Sequence, residues 1–173
     1  MVSLDTKRIK RNILSLVDFS GLTDISFAYL LGVSDKQIKR IKKDEAEFSI
    51  SDINKACDFF MKSFEEINNI DLQYESNYRK NLMEAHSGNY EYVKLLTDRP
   101  SITYAIKYEL LKTKVIPKNG IGVNEIKKIF DSYNWVYSSA YISLALKRNI
   151  KLFTVSPNPN RKGSFLYHKR KTF

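Results

Sequence analysis

The 173-residue sequence holds one cysteine, two histidines and one tryptophan. A single thiol, Cys57, excludes an intramolecular disulfide and any zinc site built from several cysteines. His86 and His168 lie far apart in sequence with no obvious carboxylate partner, so neither suggests a ligand or a catalytic base. The six glycines form no phosphate-cradling loop, and neither His-Glu-x-x-His nor Gly-x-Ser-x-Gly occurs. The expectation is a protein that is not an enzyme and uses no cofactor and no metal. No apolar run approaches the ~20 residues that span a bilayer. Met1 to Arg11 is basic but lacks the bounded apolar core and small-residue cleavage site of a secretory signal. A cytoplasmic protein is therefore expected, nucleoid-associated in a bacterium, with no membrane partner.

Basic charge is abundant. Twenty-nine Lys and Arg against 19 Asp and Glu give a net charge of +10, which argues first for nucleic acid as a partner. Lys7, Arg8, Lys10 and Arg11 open the chain, and Lys36, Lys39, Arg40, Lys42 and Lys43 follow. From Ser132 onward there are eight Lys or Arg and no acid. Between these blocks, Asp44 to Glu75 holds nine acids and only Lys55 and Lys62 as bases. Hydrophobic residues at 43% and aromatics at 13% suit a folded chain of one domain or two small ones.

Apolar periodicity predicts helices over most of the length. Ile9, Ile13, Leu16 and Val17 share one face. Thr23 caps a second helix that ends at Gly32, and Ser34 caps a third. Ser51 is read as the cap of a fourth, with Ile53, Ala56, Cys57 and Phe60 inward, and Phe64 and Ile67 mark a fifth. Tyr74, Tyr78, Leu82 and Ala85 line a further helix, broken at Ser87-Gly88-Asn89. Ile102, Ala105, Ile106 and Leu110 form another stripe. Asn124 is read as the cap of a helix carrying Ile126, Ile129 and Phe130, and Ser138 as the cap of one carrying Ile142, Ala145 and Leu146. The period then changes, and Lys151–Ser156 with Phe165–Arg170 reads as a β-hairpin around a polar loop. His86 is expected as a helix-end cation and Trp135 with most tyrosines as packing residues. Tyr137 and Tyr141 offer rings for stacking on bases.

The succession Leu22-Thr23…Ala28…Leu31-Gly32-Val33-Ser34…Ile38…Ile41 supplies a small crossing residue, a turn glycine and apolar locking positions. It resembles the Cro/lambda-repressor-like helix-turn-helix family over residues 5–70. The resemblance implies that the helix after Ser34 enters a major groove, with Lys36, Arg40 and Lys43 facing out and Gln37 and Lys39 flanking. Where that family often has Gln this chain has Asp24, and Lys42-Lys43-Asp44-Glu45 replaces its usual Glu-x-Gly.

Residues 100–170 are similar to winged helix-turn-helix domains. Ser138 to Arg148 resembles their recognition helix, Val123-Asn124-Glu125-Ile126 the preceding helix start, and the hairpin their wing. By this resemblance Ser139, Tyr141, Ser143, Lys147 and Arg148 face DNA, and Arg161 and Lys162 at the wing tip reach phosphate or the minor groove. Leu144, on the outward face, fits either a thymine-methyl contact or a protein interface.

The expected architecture is mainly α. It comprises a five-helix domain over 1–70, a helical connector over 71–98 and a winged-helix domain with a two-stranded hairpin over 99–173. The expected function is sequence-specific binding of double-stranded DNA in transcriptional regulation. The aromatic-rich connector, Tyr74 to Leu96, is the expected interface of a homodimer. Two alternatives stay open: a replication or partition adaptor of phage or plasmid type, and a protein- or RNA-interaction module.

Overall fold

The computed structural model describes residues 4–112 and 116–170. They are mainly helical, with one small antiparallel sheet near the C-terminal end. The chain divides into two compact units, Met1–Asp98 and Arg99–Phe173.

The first unit holds α1 (Thr6–Ser20), α2 (Asp24–Leu31), α3 (Asp35–Lys42), α4 (Ile50–Phe60), α5 (Phe64–Asn69), α6 (Tyr78–Ala85) and α7 (Tyr90–Thr97). Ile9, Ile13, Leu16 and Val17 of α1 are buried, as the i, i+4, i+7, i+8 spacing requires. They meet Phe27, Leu31, Ile38, Ile41, Phe59, Phe60 and Ile67 from the other helices. Thr23 and Ser34 cap α2 and α3 by accepting from the amides of Ser26 at 3.1 Å and Gln37 at 3.2 Å, each worth ~1 kcal/mol. Between these helices Gly32 adopts φ +74°, a left-handed conformation that a β-carbon disfavours. Its amide and that of Val33 return to Tyr29 and Ala28 carbonyls, and Lys55 of α4 donates to the Leu31 carbonyl at 2.5 Å.

The fourth cap differs from the sequence expectation. Ser49, not Ser51, caps α4, and Ser49 and Asp52 bond each other's amides in a reciprocal box. Ser63 and Glu66 build the same box on α5. The Ser63 amide holds the Glu66 carboxyl below its ordinary range. Asn12 fastens α1 to the end of α5. Its amide donates to the carbonyls of Ile67 at 2.8 Å and Ile70 at 2.6 Å, and its oxygen accepts from Leu72 at 3.2 Å.

Residues 71–98, read from the sequence as a connector, pack into this same core through Tyr78, Leu82, Leu95 and Leu96. Helix α6 starts at Tyr78, so Tyr74 lies outside it and packs edge-on to Phe19 instead. The aromatics expected at a dimer interface are largely spent inside: Tyr78 is buried and donates to the Phe60 carbonyl at 2.9 Å, while Tyr92 meets Phe59 and His86. Tyr90 alone among these tyrosines stands exposed. His86 ends α6 as expected, but buried: its ring stacks on Phe59 and shares a hydrogen with the Phe59 carbonyl at 2.7 Å. Cys57 is only half-buried, and burial pushes its thiol up.

The second unit has its own core. It comprises α8 (Ile102–Tyr104), which continues as a π-helical segment (Ala105–Leu110), then α9 (Val123–Ser132), α10 (Ser139–Arg148), β1 (Phe153–Pro157) and β2 (Phe165–Lys169). The strands pair antiparallel with Val155 opposite Tyr167, starting and ending within two residues of expectation. Ile121 adds a short bridge on the other side of Tyr167, through reciprocal bonds of 2.9 and 3.0 Å. Ile126, Phe130, Tyr137, Ile142, Leu146 and Phe153 fill the centre. The α9 cap is also relocated. It lies at Gly122, whose amide donates to the Glu125 carboxylate at 2.7 Å, and Asn124 is exposed as the second residue of the helix. Gly120, at φ +82°, lies so close to His168 that a β-carbon would sit 2.7 Å from the ring. Among the described residues, no helix is long and apolar enough to cross a membrane.

Candidate nucleic-acid interface

Unit by unit, the charge is far from even. Residues 1–98 hold 14 Lys and Arg against 16 Asp and Glu, a net −2, while residues 99–173 hold 15 against 3, a net +12. The whole basic excess belongs to the second unit.

Its three acids are all engaged locally. Glu125 caps α9, Asp131 pairs with Lys127 at 2.7 Å, and Glu109 accepts from the Tyr104 hydroxyl at 3.0 Å. None of the three forms an ion pair with α10 or the hairpin loop among the described residues, although Glu125 lines a cleft with Ser139, Ser143 and Arg161. Lys147, Arg148, Arg161 and Lys162 are exposed and make no ion pair among the described residues.

Helix α10 positions the first pair. Ser138 caps it by accepting from Tyr141 at 3.2 Å, and Ile142, Ala145 and Leu146 bury its inner face. That leaves Ala140, Tyr141, Leu144, Lys147 and Arg148 outward, with Ser139 and Ser143 half-buried. The loop between β1 and β2 carries the second pair and bonds to itself. Arg161 and Ser164 amides donate to Asn158 and Arg161 carbonyls at 3.3 and 3.2 Å. The Asn160 amide donates to the Asn158 side chain at 2.9 Å, so the loop is internally hydrogen-bonded.

Ser139 and Ser143 share an open cleft with Arg161. Asn124, Asn158 and Ser164 also line it, and none of these three was singled out from sequence for contact. Tyr141, Lys147, Arg148 and Lys162 are exposed outside that lining. Tyr137 is not available for stacking: its ring is 1% exposed, lies beneath the Arg99 guanidinium at 4.8 Å, and its hydroxyl donates to the Pro100 carbonyl at 2.7 Å. His168 sits on β2, within 2.9 Å of the Ser156 hydroxyl.

In the first unit, Ser34, Lys36, Gln37, Lys39, Arg40 and Lys43 all stand on α3 or its ends, with Ile38 and Ile41 buried beneath them. Of the four cations among them, one is ion-paired among the described residues. Lys39 binds Asp35 at 2.6 Å, which raises its pKa. Lys42 pairs with Asp24, and Arg40 donates to the Glu45 carbonyl at 3.3 Å. Lys36 and Lys43 make no ion pair among the described residues. On α1, Lys10 bridges Asp44 at 2.7 Å and Glu47 at 2.8 Å, pushing the Asp44 carboxyl down. The two places where the chain departs from the repressor-like pattern, Asp24 and Lys42, thus satisfy each other.

No family model, curated protein or solved structure matches the chain.

Proposed function

We propose that the chain is a sequence-specific double-stranded DNA-binding protein acting in transcriptional regulation through two helix-turn-helix modules. The first would be a Cro/lambda-repressor-like module within residues 1–70, with α2 and α3 as its helix pair. The second would be a winged helix, with α10 in the major groove and the loop before β2 against the backbone. The observation that carries this reading is the +12 charge of the second unit combined with unpaired cations on both α10 and the hairpin loop. Phosphate is the counter-charge such a surface selects. Joining a second module makes its contact intramolecular, which raises affinity for a bipartite site.

One observation favours a second reading, a replication or partition adaptor. The first unit is slightly acidic, and Ile25 and Tyr29 stand 72% and 66% exposed on one face of α2, a surface suited to protein contact. Gel shifts on random duplex with Lys36→Ala, Arg40→Ala and Lys147→Ala test the common element. Weakened binding is expected, and unchanged affinity in all three would falsify groove binding. Genomic footprinting then separates the two roles, since a regulator protects promoters and an adaptor an origin or partition site.

A further inference from the structure

The outward stripe of α10 runs Ala140, Ser143, Leu144, Lys147, spaced i, i+3, i+4, i+7 on one face. Leu144 is 44% exposed, although the same helix buries Ile142 and Leu146 completely. The core therefore does not demand leucine at this position. The stripe also carries no Asn, Gln, Glu or Arg, and Lys147 at its end is its one side chain of the kind that pairs with guanine O6 and N7. Ser143 is half-buried in the cleft with Arg161, and Lys147 offers a single ammonium. Ala140 and Leu144 are thus the apolar side chains of this stripe, with Tyr141 and Arg148 exposed at its margin and further cations in the loop. An apolar group entering the major groove of unmodified DNA has one base-specific complement, the 5-methyl group of thymine.

We propose that Leu144, together with Ala140, reads thymine methyl groups, making the second unit selective for thymine-containing duplex over RNA and over uracil-substituted DNA. This rests on the reading of that unit as a winged helix on DNA. A protein surface is the competing use of Leu144, but the flanking Lys147, Arg148 and Arg161 favour a phosphate-bearing partner.

The test uses the full chain and two duplexes of alternating sequence, one of dA and dT and one of dA and dU, which differ only by the methyl groups. Anisotropy at low salt should show the thymine duplex bound about four-fold more tightly per methyl contacted. Leu144→Ala and Leu144→Gln should erase most of that difference. Lys147→Ala should weaken both duplexes equally. Circular dichroism checks each fold, and the two Leu144 variants guard against one failing. Equal, salt-sensitive binding of both duplexes by the unaltered chain overturns the methyl reading and leaves DNA binding standing. Discrimination that survives in both Leu144 variants overturns the assignment to this residue. A Leu144 effect on self-association, without one on the thymine preference, assigns the side chain to a protein interface and overturns the proposal. No binding to either duplex overturns the underlying reading as well.

Discussion

Alanine at Lys147, Arg148, Arg161 and Lys162 together removes the cations of α10 and the hairpin loop that no carboxylate neutralises. Each phosphate contact releases condensed counterions and contributes about 0.9 to the slope of log affinity against log salt. Four contacts amount to a slope of about 3.6, so a four-fold rise in salt costs the unaltered chain about 150-fold more affinity than the variant. The four side chains are exposed and make no ion pair among the described residues, so the fold should survive and melting should shift little. A complementary variant acts in the opposite direction. Asp24→Asn with Asp35→Asn frees Lys42 and Lys39, steepening the slope by up to about 1.8 if α3 lies on phosphate. Both ion pairs are solvent-exposed, so losing them should cost under about 1 kcal/mol each. Fluorescence anisotropy on a random duplex across a salt series measures both. A slope unmoved by the fourfold alanine variant would refute the assignment of the second unit's charge to phosphate. A slope unmoved by the asparagine pair would take α3 off the DNA.

Two further predictions concern the frame that holds these surfaces. Asn12→Ala leaves the Ile67 and Ile70 carbonyls and the Leu72 amide without their side-chain partner, and should destabilise the first unit by about 2–3 kcal/mol in urea unfolding. A loss under about half a kilocalorie would show that water replaces those bonds at no cost. Glu66 has its folded pKa depressed below the ordinary 4.5, so it stabilises the fold fully above that value, and the contribution disappears as pH falls through the folded pKa. Glu66→Gln keeps an acceptor for the Ser63 amide but removes the titration, so its melting temperature should fall less steeply on acidification. Parallel acid limbs for the two proteins would contradict this.

Caps with a hydroxyl at the boundary were legible in the sequence, as Thr23, Ser34 and Ser138 show. Two caps were misplaced for identifiable reasons. Ile50 is 79% exposed, so an apolar residue at the true start of α4 gave no inward signal, and the reading moved to Ser51. Gly122 has no side chain to announce a cap; its partner, Glu125, lies three residues downstream. Periodicity put Tyr78 and Leu82 on one helical face without saying against what it packs, which is why a packed part of the first unit read as a connector. Tyr137 looked like a stacking ring because its Pro100 contact spans 37 residues. The Asp24–Lys42 pair spans 18, beyond any local rule. The partition of charge into −2 and +12 follows from a boundary after Asp98 that the sequence reading also placed there, but counting 71–98 as a separate connector kept its charge apart from that of the first unit.

That partition also fixes an order of events during synthesis. The slightly acidic first 98 residues are synthesised before the strongly cationic unit, and N-terminal units fold first as the chain is made. A nascent chain still attached to a particle made largely of polyanionic RNA thus reaches a net charge of −2 once residues 1–98 are made. The segment with the greatest attraction for that RNA, residues 99–173, is made only after those of the first unit. Exchanging the two units in sequence would put the cationic one out first, to face the RNA while the rest of the chain was still being made.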